Sequence, residues 1–92
     1  MNQNLPFEVL RQLRAQGRTL ATAESCTGGL IGKLLTDVPG SSEVYMGGVI
    51  SYTNGVKHRL LGVSEDTLRV YTAVSRQTAH EMARGAREAV QA

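Results

Sequence analysis

Only two stretches of this chain read as β-strands, and each one runs into a helix. The order along the 92 residues is helix, strand, helix, strand, then helices, the pattern of an α/β fold. Two strands make a poor sheet, since independent stability usually takes about three. The expected architecture is a small layered αβα sheet, incomplete in this chain. Either another copy completes it, giving a homo-oligomer, or the chain is a fragment of a longer domain. Residues 1–92 read as one domain, with no internal repeat or linker.

Local signals divide the chain further. Residues 5–16 predict an amphipathic helix with Phe7, Val9, Leu10 and Leu13 apolar; Asn4 and Pro6 suit its start and Gly17 its end. Residues 18–23 predict the first strand. A second helix is expected from Gly28 to Asp37, with Leu30, Ile31, Leu34 and Leu35 on its apolar face, broken by Pro39-Gly40. The second strand falls within Val44 to Thr53, centred on Gly48 to Tyr52. Asn54 is expected to cap a short helix over Val56 to Leu61, closed by Gly62. Ser64 caps a further turn through Leu68, and Ser75 caps a last helix over 76–91. Ala79, Met82, Ala83, Ala86 and Val90 form a stripe of mostly small residues on that helix, which permits close approach.

Composition narrows the function classes. A hydrophobic fraction of 41% supports a core, and with three tyrosines and one phenylalanine that core is mostly Leu, Val, Ile and Ala. The formal net charge of +2 is too mild to imply nucleic acid. Basic residues are scattered apart from Lys57-His58-Arg59, and no stacking aromatics alternate with them. An anionic small molecule is compatible with this balance. Cys26 is the only cysteine, which excludes an intramolecular disulfide and a zinc site built on paired cysteines. No signal-peptide core or run of transmembrane length is present. A soluble cytoplasmic protein, without a membrane partner, is expected.

The chemistry concentrates in Thr22-Ala23-Glu24-Ser25-Cys26-Thr27-Gly28-Gly29, at the turn from the first strand to the second helix. Such turns can expose a nucleophile beside unpaired backbone N–H groups. Ser25 reads either as a helix cap or as that nucleophile; Thr27 can cap equally well, which leaves Ser25 available. Gly28 and Gly29 let a ligand approach the backbone, and the N–H groups there suit an oxyanion or a phosphate alike. Cys26 reads as a small buried hydrophobe, with a thiol nucleophile as its rival role. Glu24 either orients a neighbour or caps the turn. The spacing Gly28-Gly29-x-x-Gly32 lacks the Gly-x-Gly-x-x-Gly of a dinucleotide loop and is set aside.

A second segment, Ser51-Tyr52-Thr53-Asn54-Gly55-Val56-Lys57, supplies a phenol and an amine. Lys57 is either a surface lysine or the base that activates Ser25. An amine serves as a base only after shedding its proton, and burial, which a sequence does not reveal, decides much of that. Tyr52 either packs on the sheet or stands beside Ser25 and Lys57, relaying a proton or holding the amine.

These segments, with Gly48, Pro39-Gly40-Ser41-Ser42 and Leu61-Gly62-Val63, resemble the CinA C-terminal domain family from about residue 5 to the chain end. Family domains continue past the last helix with more strands and a glycine-rich loop, so residues 1–92 correspond to the N-terminal portion of the family domain. Its enzymatic members are nicotinamide-nucleotide amidohydrolases. The resemblance implies hydrolysis of the carboxamide of nicotinamide mononucleotide to nicotinic acid mononucleotide and ammonia, in pyridine-nucleotide salvage. It places the catalytic serine on Ser25, the tyrosine on Tyr52 and the lysine on Lys57. N–H groups from Cys26 and Thr27 to Gly28 and Gly29 hold the oxyanion and substrate. The scheme calls for no metal or organic cofactor; the partner it implies is a small-molecule nucleotide. A nucleotide-binding or oligomerisation module without catalysis is the other expectation.

Overall fold

The computed structural model describes residues 4–92. Strands β1 (Leu20–Glu24) and β2 (Tyr45–Ile50) pair in parallel. A parallel pair needs a crossover, which here runs through helix α2 (Leu30–Thr36) and a 3-10 turn at Ser41–Glu43. Leu20 lies opposite Tyr45 and Glu24 opposite Ile50, with an irregularity between Leu20 and Ala21. Both strands therefore end on the same side, and the residues that follow them, Ser25 and Ser51, leave the sheet together. Parallel α/β sheets present their ligand sites beyond these carboxyl ends.

Two apolar clusters flank the sheet. Leu10 of helix α1 (Leu5–Ala15), Leu35 of α2 and Val44 form one, with Leu13, Leu20, Val38 and Tyr45 against it. The other joins Leu61 of helix α3 (Asn54–Leu61), Val63, and Met82 and Ala86 of helix α5 (Arg76–Val90). Ala21, Ala23 and Val49 pack on it from the sheet, and Leu68 from helix α4 (Glu65–Tyr71). The alternation of a strand explains the division: Ala21 and Ala23 face α5 while Thr22 and Glu24 face α2. The layered α/β arrangement is the one expected, and the sheet has two strands among the described residues.

The elements differ from expectation where glycines and caps decide. Helix α2 begins at Leu30, not Gly28, because Gly28 and Gly29 both take left-handed φ, +65° and +109°. Strand β2 lies earlier than Gly48 to Tyr52. Its glycines, poor strand formers, are there for backbone reasons: Gly47 takes a positive φ of +143°, and a Cβ on Gly48 would lie 2.2 Å from Thr22 Oγ1. Thr53, not Asn54, caps α3, accepting from Val56 N at 3.3 Å. Ser64 and Ser75 cap α4 and α5 as expected.

On α5 the buried face is Thr78, Met82, Gly85 and Ala86; Ala79 and Ala83 are exposed. The close approach does occur, but at Gly85, where an added Cβ would fall 1.9 Å from the Leu61 carbonyl oxygen. Leu30 and Ile31, expected on a buried face of α2, are exposed, as are Phe7 and Val9 of α1 and Met46 and Ile50 of β2. No helix among the described residues is long and apolar enough to cross a membrane.

Candidate active site

Lys57 lies in the first turn of α3 and is 2% exposed, so the surface reading of this lysine is wrong. Its Nζ donates to Ser25 Oγ at 3.0 Å, to the Ser51 carbonyl at 2.9 Å and to the Tyr52 carbonyl at 3.3 Å. Among the described residues these three oxygens are its polar partners, and no carboxylate joins them. The helix cap at Thr53 sets where α3 begins, and that start aims the lysine back beneath the end of β2.

Ser25 caps no helix. The residue before α2 is Gly29, with no side-chain cap of its own. The work of a cap is done by Glu24, buried at 4% exposure. Its carboxylate accepts from Ile31 N at 2.8 Å, Gly32 N at 2.9 Å and Thr27 Oγ1 at 2.8 Å. Burial pushes the Glu24 carboxyl up, but the N–H groups of Gly32 and Ile31, the Thr27 hydroxyl and the Gly29 N–H outweigh it and hold the group below its ordinary value of 4.5.

The backbone donors of the turn are thereby sorted. Gly28 N–H goes to the Ser25 carbonyl at 3.1 Å, and Gly29 N–H faces Glu24. The N–H groups of Cys26 and Thr27 donate to no other described residue. Cys26 is exposed, contrary to its expected burial, because it sits in the turn rather than against a core. Tyr52 meets Lys57 through its carbonyl; the residue is 75% exposed and its side chain packs in neither apolar cluster.

Two residues of the site are not assigned their parts by sequence. Glu24 reads equally as an orienting or a capping residue, although an acidic residue ahead of a short helix is itself a capping signal. Ser51 stands in the second segment without a role of its own. It is fully buried, donates its N–H to the Glu24 carbonyl at 2.8 Å, and carries a buried hydroxyl without a hydrogen-bond partner. Nothing in the local sequence marks it. No group of three or more His, Cys, Asp or Glu among the described residues is arranged to hold a metal ion.

The CinA C-terminal domain family matches residues 2–92. The chain belongs to that family. Two CinA-like proteins illustrate the relationship. The one from Thermotoga neapolitana is 50% identical over 84 residues, covering 91% of this chain and 21% of the relative. The one from Leptospira interrogans is 58% identical over 81 residues, 87% and 19% respectively. This member thus spans about a fifth of the length of the curated CinA relatives it matches. Among solved structures, a CinA superfamily protein from Klebsiella pneumoniae superposes with TM-score 0.95 at 35% identity, covering 100% of this chain and 58% of that one. A competence/damage inducible protein from Agrobacterium tumefaciens gives 0.91 at 44%, covering 98% and 55%.

Proposed function

We propose that this CinA-family chain carries the site of a serine amidohydrolase acting on nicotinamide mononucleotide, with Ser25 as nucleophile and Lys57 as general base. The observation that carries the reading is the seat of the Lys57 amine. Carbonyl oxygens only accept, so those of Ser51 and Tyr52 claim N–H bonds from it in either charge state. A neutral amine has two N–H bonds, and its remaining position is a lone pair turned to Ser25 Oγ, 3.0 Å away. That is the geometry of a base within reach of the proton it takes.

The steps balance as follows. Ser25 Oγ attacks the carboxamide carbon while Lys57 takes its proton. The resulting oxyanion is met by the N–H groups of Cys26 and Thr27, with Gly28 and Gly29 keeping the backbone open to the ligand. The Lys57 ammonium returns the proton to the departing nitrogen, and ammonia leaves. Water, deprotonated by Lys57, then cleaves the ester, giving nicotinic acid mononucleotide and restoring Ser25. Tyr52 contributes its carbonyl to the seat of the amine and its exposed phenol to the substrate. The placement in the cytoplasm and the self-association expected from sequence belong to this same reading.

Ammonia release from nicotinamide mononucleotide tests it, with the native chain beside Ser25→Ala and Lys57→Met. Turnover by the native chain, abolished in both variants, is expected. Native rates in both variants would reject the mechanism. The unpaired N–H groups of Cys26 and Thr27 suit a phosphate as well as an oxyanion and so support a second reading, nucleotide binding without turnover. Calorimetric heat with nicotinamide mononucleotide but no ammonia would favour it.

A further inference from the structure

The Ser25–Lys57 pair rests on a residue that touches neither the amine nor the hydroxyl. We infer that Glu24 is a positioning residue of this site, its side chain fixing the Ser25 turn and its main chain fixing the seat of Lys57. The inference builds on the serine–lysine reading above. On one side, the Glu24 carboxylate gathers Ile31 N, Gly32 N and Thr27 Oγ1, all within 2.9 Å, and so ties the middle of the Ser25 to Gly29 turn and the start of α2 to one buried point. On the other, the Glu24 carbonyl takes the Ser51 N–H at 2.8 Å, and the Ser51 carbonyl in turn takes Lys57 Nζ at 2.9 Å. Nucleophile and base are thus referred to the same residue.

The arrangement also decides which donors are left for chemistry. With the first N–H groups of α2 spent on Glu24, an anion approaching the turn meets those of Cys26 and Thr27 instead. The two left-handed glycines follow from this demand. They return the chain sharply enough for α2 to start above a carboxylate that belongs to the preceding strand.

Glutamine at position 24 keeps the shape but sets an NH2 group against backbone donors that also carry hydrogen. Aspartate keeps the charge and shortens the reach. The test compares the native chain with Glu24→Gln, Glu24→Asp and Lys57→Met. It reads the rate at which a fluorophosphonate phosphonylates Ser25, by mass spectrometry, and the amide NMR spectrum of each folded variant. Expected are labelling about 10–100-fold slower in Glu24→Gln, as an ångström-scale misplacement would give, partial recovery in Glu24→Asp, and shifted Cys26 and Thr27 amides along with those of Ile31 and Gly32. A folded Glu24→Gln labelled at the native rate overturns the inference. If Glu24→Gln does not fold, Glu24→Asp is judged by the same criterion. Equal labelling of the native chain and Lys57→Met would instead overturn the serine–lysine reading. The spectra then judge Glu24 alone: Cys26 and Thr27 amides unmoved in the variant reject its positioning role, and shifted ones retain it.

Discussion

Lys57 Nζ lies 3.0 Å from Ser25 Oγ across a sequence separation of 32 residues, one at the head of α3 and the other just beyond β1. The pair meets because parallel strands end on the same side of a sheet, and because α3 starts immediately beyond the second of them.

Arginine at position 57 separates a base from a fixed positive charge. A guanidinium can still donate to the carbonyls of Ser51 and Tyr52, but it takes up no proton at any working pH. We expect Lys57→Arg to lower kcat for nicotinamide mononucleotide by about 10²–10⁴-fold, the usual contribution of general base catalysis. A rate within about tenfold of native, measured by ammonia release, would mean that the amine acts as a charge alone.

Tyr52 gives a contrasting expectation. Its carbonyl, not its phenol, seats the amine, so Tyr52→Phe leaves the seat in place. Ser25 labelling by a fluorophosphonate is expected to hold its native rate while substrate turnover falls by roughly tenfold at most, the value of one neutral hydrogen bond. Slower labelling in the variant would show that the phenol orients the base itself.

Acid is expected to loosen the fold through two carboxylates. Glu24 lies below its ordinary value for the reasons given above, and Glu81 does so because Ser64 N–H and the Thr67 hydroxyl bond to it, at 2.9 Å and 2.6 Å. A folded-state value below the unfolded one adds stability that is fully present above the ordinary glutamate value of 4.5. That stability drains away as pH falls through the folded values. The melting temperature should drop on acidification below about pH 4–5, and Glu24→Gln should flatten that limb. An acid limb unchanged in Glu24→Gln and Glu81→Gln would refute the assignment.

Gly85→Ala should be among the most damaging small substitutions in the chain. The new methyl would press on the Leu61 main chain, carbonyl carbon and oxygen both, with no flexible side chain to yield. A cost of about 1–3 kcal/mol, or more, is typical of overpacking, lowering the melting temperature by about 4–8 °C per kcal/mol in a domain of this size. Thermal melts of Gly85→Ala beside Gly55→Ala, whose added Cβ meets nothing within 4 Å, provide the comparison. Equal melting temperatures would contradict the tight crossing.

The uncovered face of β2 bears on association. Met46 and Ile50 stand exposed on a sheet that has two strands among the described residues. Light scattering of the 92-residue chain is expected to show association that rises with concentration, and Ile50→Lys is expected to reduce it. A native chain that stays monomeric throughout would remove self-association from the reading.

Much of the fold was legible because its signals are local. Ser64, Ser75 and Gly62 mark helix ends by their own chemistry, and the alternation of strand and helix gave the layered class. What the sequence concealed depends on contacts distant along the chain. Gly48 weakens a strand on propensity alone, yet Thr22 requires it there. Ala79 and Ala83 match the helical period as well as Met82 does, but the packing of α3 at Gly85 rotates the buried face away from them. Lys57 was legible as a candidate, whereas its seat is built from three oxygens on two other segments. Glu24 was visible as an acid before a helix, and only the double-glycine return reveals how many donors it serves.

Two of the three oxygens around Lys57 belong to the main chain. A seat built from peptide carbonyls survives any exchange of the side chain it hangs from, provided the strand end keeps its path. At the solvent-facing position 52 the side chain can therefore drift while the amine stays where it is. Under the proposed chemistry, exchanges there alter what is admitted to the site and leave the base in place.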